Sequence, residues 1–155
     1  MSTAVLTLTY REDSEGDGAI AATVKSGVFA GGASAAFDGR DVKQTFLPTL
    51  RQFPLAPSAL PLLEGGIWSR EKPRRVVECH LRLAVKPYDS KGALLVRVDL
   101  AAPAWPHARD VLSVLSVAFL SEYAAIANFA DAFERVLDGT AERAALTGLA
   151  AERWL

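Results

Sequence analysis

Two short runs alternate apolar and polar residues so strictly that they leave little choice of local structure. In the first, Val77, Cys79, Leu81, Leu83 and Val85 interleave with Glu78, His80, Arg82, Ala84 and Lys86. In the second, Leu94, Val96, Val98 and Leu100 interleave with Leu95, Arg97 and Asp99. A period of two is the period of a strand, so each run predicts a strand with one face in a core and the other in water. Between them Pro87-Tyr88-Asp89-Ser90-Lys91-Gly92 carries turn chemistry, and the pair predicts an antiparallel hairpin.

The same period appears near the N-terminus. Ala4, Leu6, Leu8 and Tyr10 alternate with Val5, Thr7 and Thr9, and Ile20, Ala22 and Val24 alternate with Ala21, Thr23 and Lys25. The segment between them, Arg11 to Gly18, holds the carboxylates Glu12, Asp13, Glu15 and Asp17 and predicts an exposed hairpin loop. Val28 to Phe37 reads as a third strand that Gly31-Gly32 must bend, bulge or interrupt. From Asp38 the period becomes helical: Asp38 or Asp41 can cap a helix whose apolar side is Val42, Phe46, Leu47 and Leu50. Pro48 forces that helix to kink or split, since a proline inside a helix costs about 3 kcal/mol. Pro54 stops it, and residues 54–66, with three prolines and Gly65-Gly66, predict an irregular crossing loop.

Beyond the central hairpin, Val111 to Phe119 is apolar enough for a buried strand. Ser121 offers an N-cap with Glu122 in the first turn. Ile126, Phe129, Ala130, Phe133, Val136 and Leu137 then form one helical stripe that Gly139 closes. Residues 140–155 fit either a short helix or a return strand, with Trp154 and Leu155 at the end. The sum is an α+β fold, a mostly antiparallel sheet of five to six strands packed with two main helices, in a single globular domain over residues 1–155.

At 155 residues the chain has the size of one domain, and with half its residues apolar and 23% charged it has the balance of a globular one. Seventeen basic residues against eighteen acidic ones leave a net charge of −1. That balance argues against nucleic acid and against an anionic membrane surface as partners. A lone cysteine, Cys79, can form no internal disulfide. The first residues lack a basic n-region, and no run approaches the roughly 18 apolar residues of a membrane span. A cytoplasmic location is the expectation. Arginine outnumbers lysine twelve to five, which fits a GC-rich bacterial genome.

Catalytic signatures are sparse. Gly16-Asp17-Gly18 lacks the third glycine of a phosphate loop, and Ser34 lacks the flanking glycine of a nucleophile elbow at Ala36. Glu78-Cys79-His80 resembles a metal cluster, but on a strand Cys79 points away from its neighbours, so neither a metal nor a cofactor is expected. The informative constellation is Glu78, His80 and Arg82 on the wet face of the first strand, with Arg97 and Asp99 beside them across the hairpin. Two readings stand. The strip is a set of cross-strand charge pairs, each worth about 0.2–1 kcal/mol, on a face open to a protein partner. Alternatively His80, between a carboxylate and a guanidinium, does acid–base work under the Pro-rich segment 54–66 in a small-ligand-binding protein or enzyme. The acidic residues Glu12, Asp13, Glu15 and Asp17 make a second candidate contact patch. Arg70, Lys72, Arg74 and Arg75 form a basic run, and Trp68 and Trp105 sit at loop ends where an aromatic can anchor a partner or cover the core. His107 lies in a Pro-flanked loop and reads as surface.

The order of elements resembles that of small bacterial proteins similar to the WapI-type immunity proteins of polymorphic-toxin systems. The resemblance rests on Phe29-Ala30-Gly31-Gly32, the acid-capped helix through Phe46-Leu47-Pro48-Thr49-Leu50, the hairpin from Leu81 to Gly92, and the helix carrying Phe129-Ala130-Asp131-Ala132-Phe133. It implies a non-enzymatic module that neutralises a cognate toxin by binding and occluding it. Immunity proteins against nucleases are often strongly acidic, and this chain is not, which leaves the toxin's chemistry open. A homodimer packed through a sheet edge or the C-terminal helix is compatible with that reading.

Overall fold

The computed structural model of the chain describes residues 2–14, 17–103 and 112–150. Glu15, Trp105, His107, Val111, Trp154 and Leu155, all singled out above, lie outside the described residues.

The central hairpin forms as its alternation demands. β1 (Thr3–Ser14), β2 (Asp17–Ser26) and β3 (Phe29–Asp38) make a meander. β4 (Leu62–Trp68) and β5 (Val76–Pro87) follow, then β6 (Ala93–Pro103), β7 (Leu112–Glu122) and, after a helix, β8 (Ala144–Ala150). All eight pair antiparallel in one sheet of order β3-β2-β1-β8-β7-β6-β5-β4. The α+β class and the antiparallel sheet hold; the count of five to six strands was short by β4 and β8.

The reasons differ. β4 is Leu-Leu-Glu-Gly-Gly-Ile-Trp, whose central glycines read as a breaker, yet Gly65 is required because the ring of Phe37 on β3 lies where its Cβ would be, 2.6 Å away. Residues 54–66 are thus not one irregular loop, since the stretch from Leu62 onward is strand. β8 is the return-strand alternative for the tail. Its sequence, Ala-Ala-Leu-Thr-Gly-Leu-Ala, has weak strand propensity, and its place between β1 and β7 fixes it instead. The described part of the acidic segment forms strand: β1 runs to Ser14, and Glu12 pairs with Gly18. Gly31 does not interrupt β3; it accommodates Leu115 of β7, which would stand 2.9 Å from a Cβ there.

β3 and β4 are the two edges, and the sheet rolls so that β3 packs across its inner face against β4, β5, β6 and β7. The buried side chains of every strand form one cluster inside that roll. α3 (Tyr123–Leu137) lies on β8, β1 and β7. Its stripe of Ile126, Phe129, Ala130, Phe133, Val136 and Leu137 is buried as the spacing predicts, and Gly139 turns with φ +80° just past its end. Its start differs from expectation. Ser121 stays in β7 and donates to the Thr147 carbonyl at 3.3 Å, so Glu122 is the N-cap residue and makes no side-chain cap bond.

The other helical segment is split, as Pro48 requires. α1 (Gly39–Asp41) passes through a π-helical turn (Val42–Phe46) into α2 (Leu47–Leu50). Asp38 caps it, its Oδ1 accepting from the Arg40 and Asp41 amides at 2.9 and 3.4 Å. The π turn widens the helix just before Pro48, where the ring would otherwise strike the preceding turn, and leaves Pro48 in the first turn of α2. Arg51 then bonds Asp131 at 3.0 Å and Glu134 at 3.2 Å, and Lys43 bonds Asp138 at 2.6 Å, tying the split helix to α3.

Candidate functional site

The outer face of the β4–β7 half of the sheet carries three rows of side chains, each running across the strands. Pairing sets them. Glu64 of β4 stands opposite Arg82 of β5, Arg82 opposite Asp99 of β6, and Asp99 opposite Ser116 of β7, giving one polar row over four strands. Two residues along lies a second row, Leu62, Ala84, Arg97 and Ala118. Beyond it comes a third, with Lys86 opposite Leu95 and Leu95 opposite Leu120.

The polar row is internally bonded. Arg82 donates through Nε and Nη2 to one Glu64 oxygen at 3.3 and 3.1 Å. That hydrogen bond is the main reason the Arg82 guanidinium is held in its charged form above its ordinary range; the Glu64 and Asp99 charges add to it, and burial opposes it. Arg97 leans out of its own row toward Asp99, its Nε 3.2 Å from Oδ2, and Ser116 Oγ donates to Asp99 Oδ1 at 2.6 Å. The Asp99 side chain is only 19% exposed, while that of Arg97 is 62% exposed. Asp99 therefore anchors Arg97, whose Nη2 also donates to Ser116 Oγ at 3.5 Å, while the rest of the guanidinium faces solvent.

The five residues expected as one strip resolve into two groups. Arg82, Arg97 and Asp99 belong to the rows; Glu78 and His80 do not. The β5–β6 ladder begins at Leu81, and below it β5 pairs only with β4. There the register shifts twice, so His80 and Val77 are extra residues opposite β4, and the strict alternation ends: Val77 is 57% exposed rather than buried. Glu78 Oε2 lies 2.6 Å from His80 Nε2, a self-contained pair. The segment expected to cover it, residues 54–66, instead supplies β4 alongside. His80 does not line the trough formed by Leu60, Leu62, Ala84, Lys86, Leu95 and Arg97.

The second patch stays together: Glu12 and Asp13 of β1 and Asp17 of β2 are exposed at the same end of one hairpin, where Ser14 pairs with Asp17, and β8 and β7 separate that hairpin from β6 in the sheet. The basic run Arg70, Lys72, Arg74 and Arg75 is an exposed connection from β4 to β5, and the Arg74 guanidinium sits 5.8 Å from the centre of the Trp68 ring. Among the described residues no cluster of three His, Cys, Asp or Glu could hold a metal, and no helix is long and apolar enough to cross a membrane. The chain matches no family model, no curated protein and no solved structure.

Glu64 and Ser116 were missed by sequence reasoning. Glu64 was hidden in the supposed loop; Ser113 and Ser116, two polar residues in the supposedly buried run, were the available sign that β7 has a wet face. Cys79 is a free, partly buried thiol on β5. Burial, the largest influence, raises its thiol above the ordinary range. Alkylation by iodoacetamide at pH 8 is expected to run at least about fivefold slower in the native protein than in urea; equal rates would contradict that placement.

Proposed function

We propose that this chain is a non-enzymatic protein-binding module, an immunity protein that neutralises a cognate toxin by covering it with the outer face of β4–β7. One observation carries the reading: a row of polar side chains, three of them charged, spans four strands, about 14 Å at the usual strand spacing, and is already braced by its own hydrogen bonds. Ordering a long side chain at an interface costs about 0.5–1.5 kcal/mol, and side chains braced beforehand lose less. The row is bordered by Leu60 and Leu62, 38% and 50% exposed, so the face combines arginine with aliphatic surface as binding faces do. The resemblance to WapI-type immunity proteins points the same way.

The test is affinity capture by the wild-type chain beside an Arg82→Glu, Arg97→Glu variant, followed by co-expression of the captured polypeptide with each. A polypeptide retained by the wild type, lost about tenfold or more by the variant, and toxic only beside the variant is the expected result. The ion pairs lost are each worth about 0.2–1 kcal/mol, and the reversed charges repel Glu64 and Asp99 across the strands, so the variant should melt several degrees below the wild type yet remain folded at the assay temperature. Equal retention by a folded variant, or nothing retained by either chain, would overturn the reading.

A further inference from the structure

Between the polar row and the row of Lys86 and Leu95 the surface sinks into a trough of about 560 Å³. Its cause is the middle row. Ala84 and Ala118 are too small to fill their positions, and Arg97 between them leans away to Asp99. Leu60 and Leu62 close it at the β4 side, where the Val85 amide donates to the Pro61 carbonyl and carries the pairing past the strand end. The floor is thus alanine and backbone, the walls are leucine, and the charged side chains of the lining are Lys86 and Arg97, both cations. Lys86 makes no ion pair among the described residues.

We propose that this trough receives an acidic, aliphatic segment of the partner protein, laid across the strands. The inference rests on the protein-binding reading and names the partner's chemistry at that same face. An aliphatic side chain fits the alanine floor between Leu62 and Leu95, and carboxylates on either side of it meet Lys86 and Arg97. The repulsion from Asp99 is offset by its pairing, since its oxygens accept from Ser116 and Arg97 within the polar row. A small amphipathic anion shares this chemistry but binds best where about 70–90% of it is enclosed. The trough lies open along its length, which suits a chain segment held at several points.

The experiment titrates the isotopically labelled full chain, by amide NMR, with acetylated hexapeptides of alternating Glu and Leu, Lys and Leu, or Glu and Ser, and with octanoate. The Glu–Leu peptide is expected to shift the amides of Leu62, Ala84, Arg97 and Ala118 and to bind at least about tenfold more tightly than the other two peptides, weakening with salt. Ala84→Leu, which fills the floor from the solvent side, and Lys86→Glu, which inverts the wall charge, should each lower that affinity about fivefold or more. Equal binding of the Lys–Leu peptide, shifts confined to other strands, or shifts with octanoate alone would overturn the proposal. Partner capture lost in the Arg82→Glu, Arg97→Glu variant but kept in Ala84→Leu would overturn the trough and leave the module reading standing. Peptide binding with no protein captured by either chain would support the trough and count against that reading.

Discussion

Phe133→Ala is expected to destabilise the protein by about 3–5 kcal/mol, the range for truncating a fully buried phenylalanine. Phe133 has no exposed surface and faces the π turn from α3. Its ring stacks on Phe129 at 5.9 Å and receives Phe46 of the π turn edge-on at 6.4 Å. The side chain therefore fixes α3 and holds the split helix against it, a join otherwise supported by the Arg51 and Lys43 ion pairs at the surface. Those pairs are half exposed and worth little by comparison. In a chain of this length the loss corresponds to a fall in melting temperature on the order of 10 °C, measurable by thermal or urea unfolding. Tyr88→Ala, at a 59% exposed turn position, is the matched control and should change stability by less than about 0.5 kcal/mol. A Phe133→Ala protein that melted with the control would mean that the ring is not packed between α3 and the π turn.

That prediction was half legible before any coordinates. The spacing of Ile126, Phe129, Ala130, Phe133, Val136 and Leu137 is a purely local signal, and all six are buried. The β5–β6 hairpin was legible for the same reason, down to the facing of Arg82 and Asp99. What the alternation did not contain was β4. Pro61 and Gly65-Gly66 carry the chemistry of a loop, and the reason Gly65 tolerates strand geometry, the ring of Phe37, comes from a distant strand. Missing β4 meant missing Glu64, and so assigning Arg82 to a cross-hairpin pairing when its bonds go to the other side. It also meant placing Glu78 and His80 in line with Arg82, since the two bulges that set them apart exist only relative to β4. A strand's own sequence gives its period; its register belongs to its partner.

Gly66 is where that dependence is most acute, and Gly66→Ala is expected to detach β4 from the lower half of β5. Its φ of +153° is one that side-chain-bearing residues rarely adopt, and a Cβ would stand 2.1 Å from the Glu78 carbonyl oxygen and 2.8 Å from the His80 amide nitrogen. Backbone strain of this kind costs about 1–3 kcal/mol. The contacts are with backbone on both sides, so relief requires the bulge to open. Against this, alanine restricts the unfolded chain and returns only about 0.4–1 kcal/mol. Gly92→Ala separates the two effects: its φ of +96° is strained as well, but nothing lies within 4 Å of a Cβ there. Gly92→Ala should therefore lose a modest amount of stability with β4 intact. In Gly66→Ala, amide exchange should accelerate across Leu62–Trp68 while β1 and β8 stay protected. Because Leu62 and Glu64 ride on that strand, the polar row loses its anchor for Arg82 and the trough loses a wall, so partner binding should fall further than stability alone accounts for. Unchanged exchange in β4 would show that the bulge accommodates a methyl group and that the register at His80 is set elsewhere.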